Sequence, residues 1–497
     1  MLYQSTRGNN KKVTAAEAIK TGMVPKGGLF VPEKVPNLLV KDVLNLSYAQ
    51  TAEKVFELFL SDFSKEEIKE ITSKVYNKKV FGRDDVAPLV EIKDKLAILE
   101  LWHGPTAAFK DMALQMLPYL MKKSLEKLGY DKELLILAAT SGDTGKAALE
   151  GFKDVEGIKI ICLYPHQRVS KVQELQMTTT EGENTYVIAV KGNFDDCQSK
   201  VKKIFSDEAF KKELLELNTE LSSANSINWG RLLPQIVYYY RSYAELVERN
   251  EISLGEKINI VVPTGNFGNI LAAWYAGRMG VPINKLICAS NINNILTDFI
   301  NTGKYDTHRD FIETNSPSMD ILVSSNLERF IYEITGRDDK FINEIMTSLQ
   351  ETGSFQMGSR CLEKIQSELY GDYATEEDTL LTIKKYFEEY KYLLDTHTAV
   401  GIKVYEKYLA HSKENDVYTI VDATANPYKF NTSVYEALKG REALAGKEEF
   451  GILNELSEIS QMPVHPGLEN LDKKEIKHNR TAEINELEDI IREIIKK

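Results

Sequence analysis

Three times along the chain, a short run of consecutive aliphatic residues leads into a glycine- or hydroxyl-rich turn and then into apolar residues at helical spacing. The first run spans 134–139, turns through Thr140, Ser141, Gly142, Asp143, Thr144 and Gly145, and continues as helix through Ala147, Ala148 and Leu149. The second spans 258–263, turns from Thr264 to Asn269, and continues through Ala276 to an expected stop at Gly277. The third spans 417–421, turns from Asp422 to Pro427, and enters a helix holding Val434 and Leu438. Further short apolar runs at 158–163, 186–190 and 285–289 read as strands. Aliphatic strands flanked by helices predict parallel sheets covered on both faces, so the expected class is α/β. Ligands in such folds bind beyond the carboxyl ends of the strands, where these turns lie.

The remaining segments have a different grammar. Residues 1–92 carry mixed polar helices at 47–60 and 65–75 after a Gly27-Gly28 turn, and read as an N-terminal covering layer. The expected division is then 93–245 as a first α/β unit and 246–497 as a second, with a charged helical insertion at about 295–390. Pro118 interrupts an otherwise helical pattern and predicts a kink or break. The end, 482–497, alternates Ile and Leu with Glu and Lys at helical spacing.

Charge narrows the ligand. The chain has 62 Lys and Arg against 74 Asp and Glu, a formal charge of -12 over 497 residues. No global basic field exists for nucleic acid or an acidic membrane, whereas a small anion can still be held by a local site. The four cysteines are far apart and form no C-x-x-C pair, which argues against a disulfide framework or a zinc ribbon. The histidines show no H-E-x-x-H, so no catalytic metal is expected. With no apolar run near the ~20 residues that span a bilayer and no basic-then-apolar N-terminus, the expectation is a soluble cytosolic protein.

The turns supply candidate chemistry. Gly265, Asn266, Phe267, Gly268 and Asn269 offer backbone N–H groups at a helix N-terminus, a geometry that binds phosphate without lysines. The alternative is a plain tight turn. It is not a dinucleotide fingerprint, because the leading G-x-G is missing. The turn at 140–146 resembles a P-loop but fails on spacing, with only Asp143 and Thr144 between Gly142 and Gly145 and with Ala147 where a magnesium-binding hydroxyl would stand. What remains is a second hydroxyl-lined cradle, or simple helix capping. The third feature is Lys110, which follows a Gly104-Pro105 turn and opens a helix. Partial burial near a helix N-terminus depresses an amine pKa and makes a lysine a nucleophile or base, although most lysines are merely solvated.

Together these motifs resemble the long form of the threonine synthase family, pyridoxal-phosphate enzymes of fold type II, similar to the tryptophan synthase β subunit. The resemblance spans nearly the whole chain. It rests on Tyr3 to Gly8, Gly27 to Pro32, His103 to Asp111, Ala139 to Gly145, Ser226 to Arg231, Gly265 to Asn269, Ser316 to Asp320 with Ser324 to Arg329, and Thr424 to Phe430. It implies pyridoxal 5'-phosphate joined to Lys110 as a Schiff base, beside Phe109. Gly265, Asn266, Phe267, Gly268 and Asn269 match the cofactor's phosphate cup, and Thr424 the hydroxyl facing the ring nitrogen. Asp143 matches the position that in shorter relatives contacts the ring's phenolic oxygen. Thr140, Ser141, Thr144, Asn228 and Arg231 match positions that hold the substrate's carboxylate or phosphate. Arg231, with its planar bidentate fork, is the prime candidate for the phosphate.

The implied reaction converts O-phospho-L-homoserine and water to L-threonine and phosphate, the last step of threonine biosynthesis, with a small-molecule substrate and a tendency of the long form toward monomers. Two positions depart from the family pattern: Asn426 stands where His is common before the Pro, and Lys26 where Asp is common before the Gly-Gly. Rival readings are a serine or threonine dehydratase-like lyase of the same fold, which needs no second phosphate site, and a catalytically silent cofactor-binding homologue.

Overall fold

A computed structural model describes residues 1–140 and 142–496. Two twisted sheets carry the site. The larger runs, in spatial order, Leu369–Tyr373, Ile283–Ser290, Ile258–Pro263, Thr419–Ala423, Leu96–Glu100 and Leu89–Lys93. All its neighbours are parallel except the last pair. The smaller runs Arg480–Ala482, Thr185–Val190, Ile158–Pro165, Glu133–Ala139 and Thr219–Ser222, parallel throughout. Helices pack on both faces, which is why the central strands read as unbroken aliphatic runs: every residue of Ile258–Pro263 and of Thr419–Ala423 is buried.

The N-terminal helices start where hydroxyl caps predict. Ser47 and Ser64 each form a capping box at the head of Tyr48–Phe59 and Lys65–Val75, and both helices bury one apolar stripe. At Pro118 the helical pattern divides into Asp111–Leu114 and Leu117–Leu128, with the proline in the first turn of the second piece, where its missing N–H costs nothing.

Several expectations need correction. The strands at 89–100 join the larger sheet, although residues from 93 onward were assigned to the first unit. The chain's last strand, Arg480–Ala482, crosses back to pair with Ile188, Ala189 and Val190 at the edge of the smaller sheet. The helix Leu487–Ile495 then covers that sheet with Leu487, Ile490, Ile491 and Ile494. The insertion is not purely helical: Leu369–Tyr373 forms an edge of the larger sheet, and Lys304–Asp306 pairs with Ser354–Gln356 as a ribbon. The helix expected to stop at Gly277 runs from Gly268 to Met279. Gly277 packs closely on Ile283, while Gly280, at φ 136°, ends the helix.

Candidate active site

The carboxyl ends of the two sheets bring the sequence turns together around Lys110. The segment before it is pinned from both sides. Asp111 is fully buried and its carboxylate accepts from the Thr106 amide and hydroxyl, each at 2.8 Å. Phe109 N–H donates to the Thr424 carbonyl at 2.8 Å, and Asn426 N–H donates to the Ala107 carbonyl at 3.0 Å, so residues 107–109 form a short antiparallel bridge with 424–426. This places Thr424, 6% exposed, beside the lysine. Asn426, where the family pattern has His, caps the turn Pro427–Phe430 by accepting from Tyr428 N–H at 3.0 Å.

Lys110 sits in a dense charge cluster. Its Nζ lies 3.6 Å from Asp143 Oδ2 and 3.3 Å from Ser318 Oγ. Burial lowers its pKa; the Asp143 carboxylate opposes this, while the charges of Lys429 and Arg231 add to it. A lowered amine pKa is what a nucleophilic lysine needs. Burial works against ionisation of Asp143, but Lys429 and Lys110 outweigh it and hold the carboxyl well below the usual range. Lys429 Nζ is 2.8 Å from Asp143 Oδ1, and Gln173 donates to the same oxygen at 3.1 Å. Asp143 is thus a firm anion whose repulsion toward an oxyanion is offset by Lys429. Lys429, buried and also bonded to the Thr106 carbonyl at 3.0 Å, carried no signal of its own beyond lying in the Thr424–Phe430 motif. Ser318 is a second such residue, marked in the sequence only by its place in the Ser316–Asp320 motif.

The turn Gly265 to Asn269, expected from the sequence as a phosphate cup, leads into an uncapped helix. Phe267 adopts φ 60°, and the twelve-residue helix beginning at Gly268 has no side-chain cap, leaving its first-turn N–H groups without intrahelical partners. A Cβ on Gly265 would come within 2.6 Å of the Ser318 carbonyl, so glycine is required for the approach of these loops. Asn326 donates to the Asn266 carbonyl from its backbone at 3.1 Å and its side chain at 3.0 Å. The Asn269 side chain turns away from the cup. It donates to Asp422 Oδ2 at 2.9 Å and accepts from the Tyr238 hydroxyl, while the Tyr239 oxygen lies 2.6 Å from both Asn269 Oδ1 and Asp422 Oδ2.

The remaining expected residues divide. The Thr140 hydroxyl accepts from the Gly142 and Gly145 amides at 3.0 and 2.9 Å, capping the helix Asp143–Phe152. Thr144 is half-buried in that helix's first turn, and Ser141 lies outside the described residues. Asn228 is fully buried and committed to structure: its amide donates to the carbonyls of Ile19 and Ser223, and its Oδ1 accepts from Gly230 N–H. Arg231 is different. Its guanidinium is buried, Nη1 donates to the Ala224 carbonyl at 2.9 Å, and its Nε finds no partner among the described residues. Burial lowers its pKa to about 10, so it remains a cation.

Two parallel sheets with a buried lysine among the turns at their carboxyl ends fit a pyridoxal-phosphate-dependent enzyme, and the family model of that class matches residues 87–422. The flanking segments match "Threonine synthase N terminus" at 2–76 and "Threonine synthase, C-terminal" at 398–491. The chain belongs to the threonine synthase family. It is 34% identical to threonine synthase of Saccharomyces cerevisiae, over 100% of this chain and 98% of the yeast protein. The crystal structure of threonine synthase with bound pyridoxal phosphate from Brucella melitensis superposes with a TM-score of 0.88 at 34% identity, covering 100% of both chains. Human threonine synthase-like 1 is 39% identical over 87% of this chain, which spans 59% of that relative's length.

Proposed function

We propose that this chain converts O-phospho-L-homoserine and water to L-threonine and inorganic phosphate with pyridoxal 5'-phosphate as cofactor. The observation that carries the reading is Arg231. Its guanidinium is buried, pairs with no carboxylate among the described residues, and keeps an Nε–H without an acceptor. A buried charge left unpaired costs several kcal/mol, about 3–5 where one partner of a buried pair is removed, so the site is built to be completed by an anion. The cup at Gly265–Asn269 is a separate anion site, and a cofactor and a substrate that each bear phosphate account for both.

Bound pyridoxal phosphate supplies an electron sink for the substrate carbon that bears the amino group. Lys110, buried and with a lowered pKa, holds the cofactor covalently and, once freed, moves protons at the neighbouring substrate carbons. Arg231 grips the phosphate ester, whose Cγ–O bond breaks with the electron pair leaving on phosphate; water then supplies the hydroxyl at Cβ. Lys429 keeps Asp143 ionised and in place beside Lys110, and Thr424 faces the ring nitrogen. The first test is to incubate the purified protein with O-phospho-L-homoserine and measure phosphate and threonine. Equimolar release supports the reading; deamination of serine with no phosphate released would identify a dehydratase instead.

The same reading has the chain acting as a monomer on a small molecule in the cytoplasm, without nucleic acid or membrane. The net charge of -12 supports it, and no helix among the described residues is long and apolar enough to cross a membrane. Sedimentation velocity of the purified protein tests the oligomeric part.

A further inference from the structure

Ser318 lies in the short turn Pro317–Met319 and is bonded on every side to the machinery just described. Its Oγ–H donates to Asp143 Oδ2 at 3.3 Å, and its Oγ accepts from Lys110 Nζ at 3.3 Å. Its carbonyl forms the wall against which Gly265 packs. Its amide donates to Nε2 of His397 at 3.1 Å. His397 is 1% exposed, and its Nδ1 lies 3.1 Å from Asp395 Oδ1. Asp395 is fixed in turn as the cap of the helix Thr396–Ser412, accepting from the amides of His397 and Thr398.

These directions constrain one another. Since Ser318 N–H needs an acceptor, Nε2 of His397 is bare and the ring's proton sits on Nδ1, facing Asp395. Since Asp143 is held ionised by Lys429, it takes the single hydroxyl proton of Ser318, and Ser318 then has only lone pairs to offer Lys110. An N–H of Lys110 must point at Ser318, which fixes where the amine's own lone pair can point.

We propose that Ser318 is a catalytic contact of Lys110 that orients its amine for attack and proton transfer, and that His397, backed by Asp395, is the positioning residue that holds Ser318 there. The inference rests on Lys110 being the reacting amine, as under the proposed function, but not on the identity of the substrate.

The experiment follows capture of pyridoxal 5'-phosphate by cofactor-free protein, as the rise of its visible protein-bound absorbance, in the wild type and in Ser318→Ala, His397→Phe and His397→Gln. Losing one hydrogen bond to a charged or reacting group is worth about ten- to a hundredfold, so S318A should capture that much more slowly, with an unchanged melting temperature. In the turnover assay kcat should fall with it while KM stays within twofold. His397→Phe keeps a ring tilted against Phe430, 4.7 Å between centroids, but has no acceptor, and should reproduce the S318A defect. His397→Gln restores an acceptor and should recover at least half of the loss on a logarithmic scale. Capture by S318A within twofold of the wild type overturns the proposal, as does a Gln variant no better than Phe; S318A decides the matter even if the Phe variant does not fold. Failure of the underlying reading has its own signature: Lys110→Ala would retain the borohydride-reducible link to the cofactor.

Discussion

The carboxyl of Asp422 is fully buried, with Oδ1 lacking a partner among the described residues and Oδ2 accepting from Tyr239 at 2.6 Å and Asn269 at 2.9 Å. Burial raises its pKa to about 7, and the two hydrogen bonds only partly oppose this. The sign of the consequence is fixed by linkage. Between the unfolded value near ~3.9 and about 7 the native state binds more protons than the unfolded chain, so this group's contribution to stability declines as pH rises through that window and is level above it. At ~1.36 kcal/mol per pKa unit the decline is about 4 kcal/mol for a fully buried group. Asp422→Asn removes the titration. The melting temperature of the variant minus that of the wild type should therefore climb between pH 4.5 and 7 and then flatten; a constant difference across that range would show that Asp422 ionises normally. Asn269, the partner that shares this carboxyl, was legible in the sequence only through its place in the turn. The direction of its side chain depends on tyrosines of a distant helix, and no local pattern encodes that.

At the scale of elements, strands were legible and junctions were not. The aliphatic runs at 134–139, 158–163 and 258–263 mark central strands because both faces are buried, which leaves only apolar residues. Gly277 misled because a glycine inside a helix can serve close packing, here on Ile283, as well as termination. The strand Leu369–Tyr373 escaped because Gly371 and Asp372 dilute its apolar pattern at a sheet edge. Likewise the site turns were visible, but the role of the turn at Ser318, which joins the Gly265 turn to Lys110, was not, because it touches two loops remote in sequence. That junction is testable through Gly265. A methyl added there would meet the Ser318 carbonyl at 2.6 Å, a backbone atom that cannot swing aside. Overpacking of this kind costs about 1–3 kcal/mol, so Gly265→Ala should weaken cofactor affinity roughly five- to a hundredfold. Fluorescence titration with pyridoxal 5'-phosphate measures it, and an affinity within twofold of the wild type would mean that the two loops move independently.

Across the whole molecule, one buried cation ties the N-terminal layer to the turn at Gly265–Asn269 and to the helix that carries Arg231. Arg329 is 0% exposed and spends its fork on three partners: the Phe30 carbonyl at 3.0 Å, Asn326 Oδ1 at 2.7 Å and the Ile227 carbonyl at 2.5 Å. Phe30 belongs to the first sheet ribbon, Asn326 clamps the Asn266 carbonyl of the cup, and Ile227 precedes the helix start that carries Arg231. No carboxylate among the described residues shares these bonds, so the guanidinium is held by oriented carbonyl and amide oxygens, and its planar geometry is what reaches all three. Arg329→Lys keeps the charge but cannot span the three acceptors. It strands at least one buried carbonyl, at about 1–3 kcal/mol for each group left unpaired. If Arg329 couples the layers, the Lys variant should lose stability and, in the same protein, both cofactor affinity and the KM for the phosphorylated substrate should worsen. Restoring stability with a saturating osmolyte should leave the two binding defects in place. A variant whose binding defects vanish once it is fully folded would reduce Arg329 to a core residue with no part in aligning the two sites.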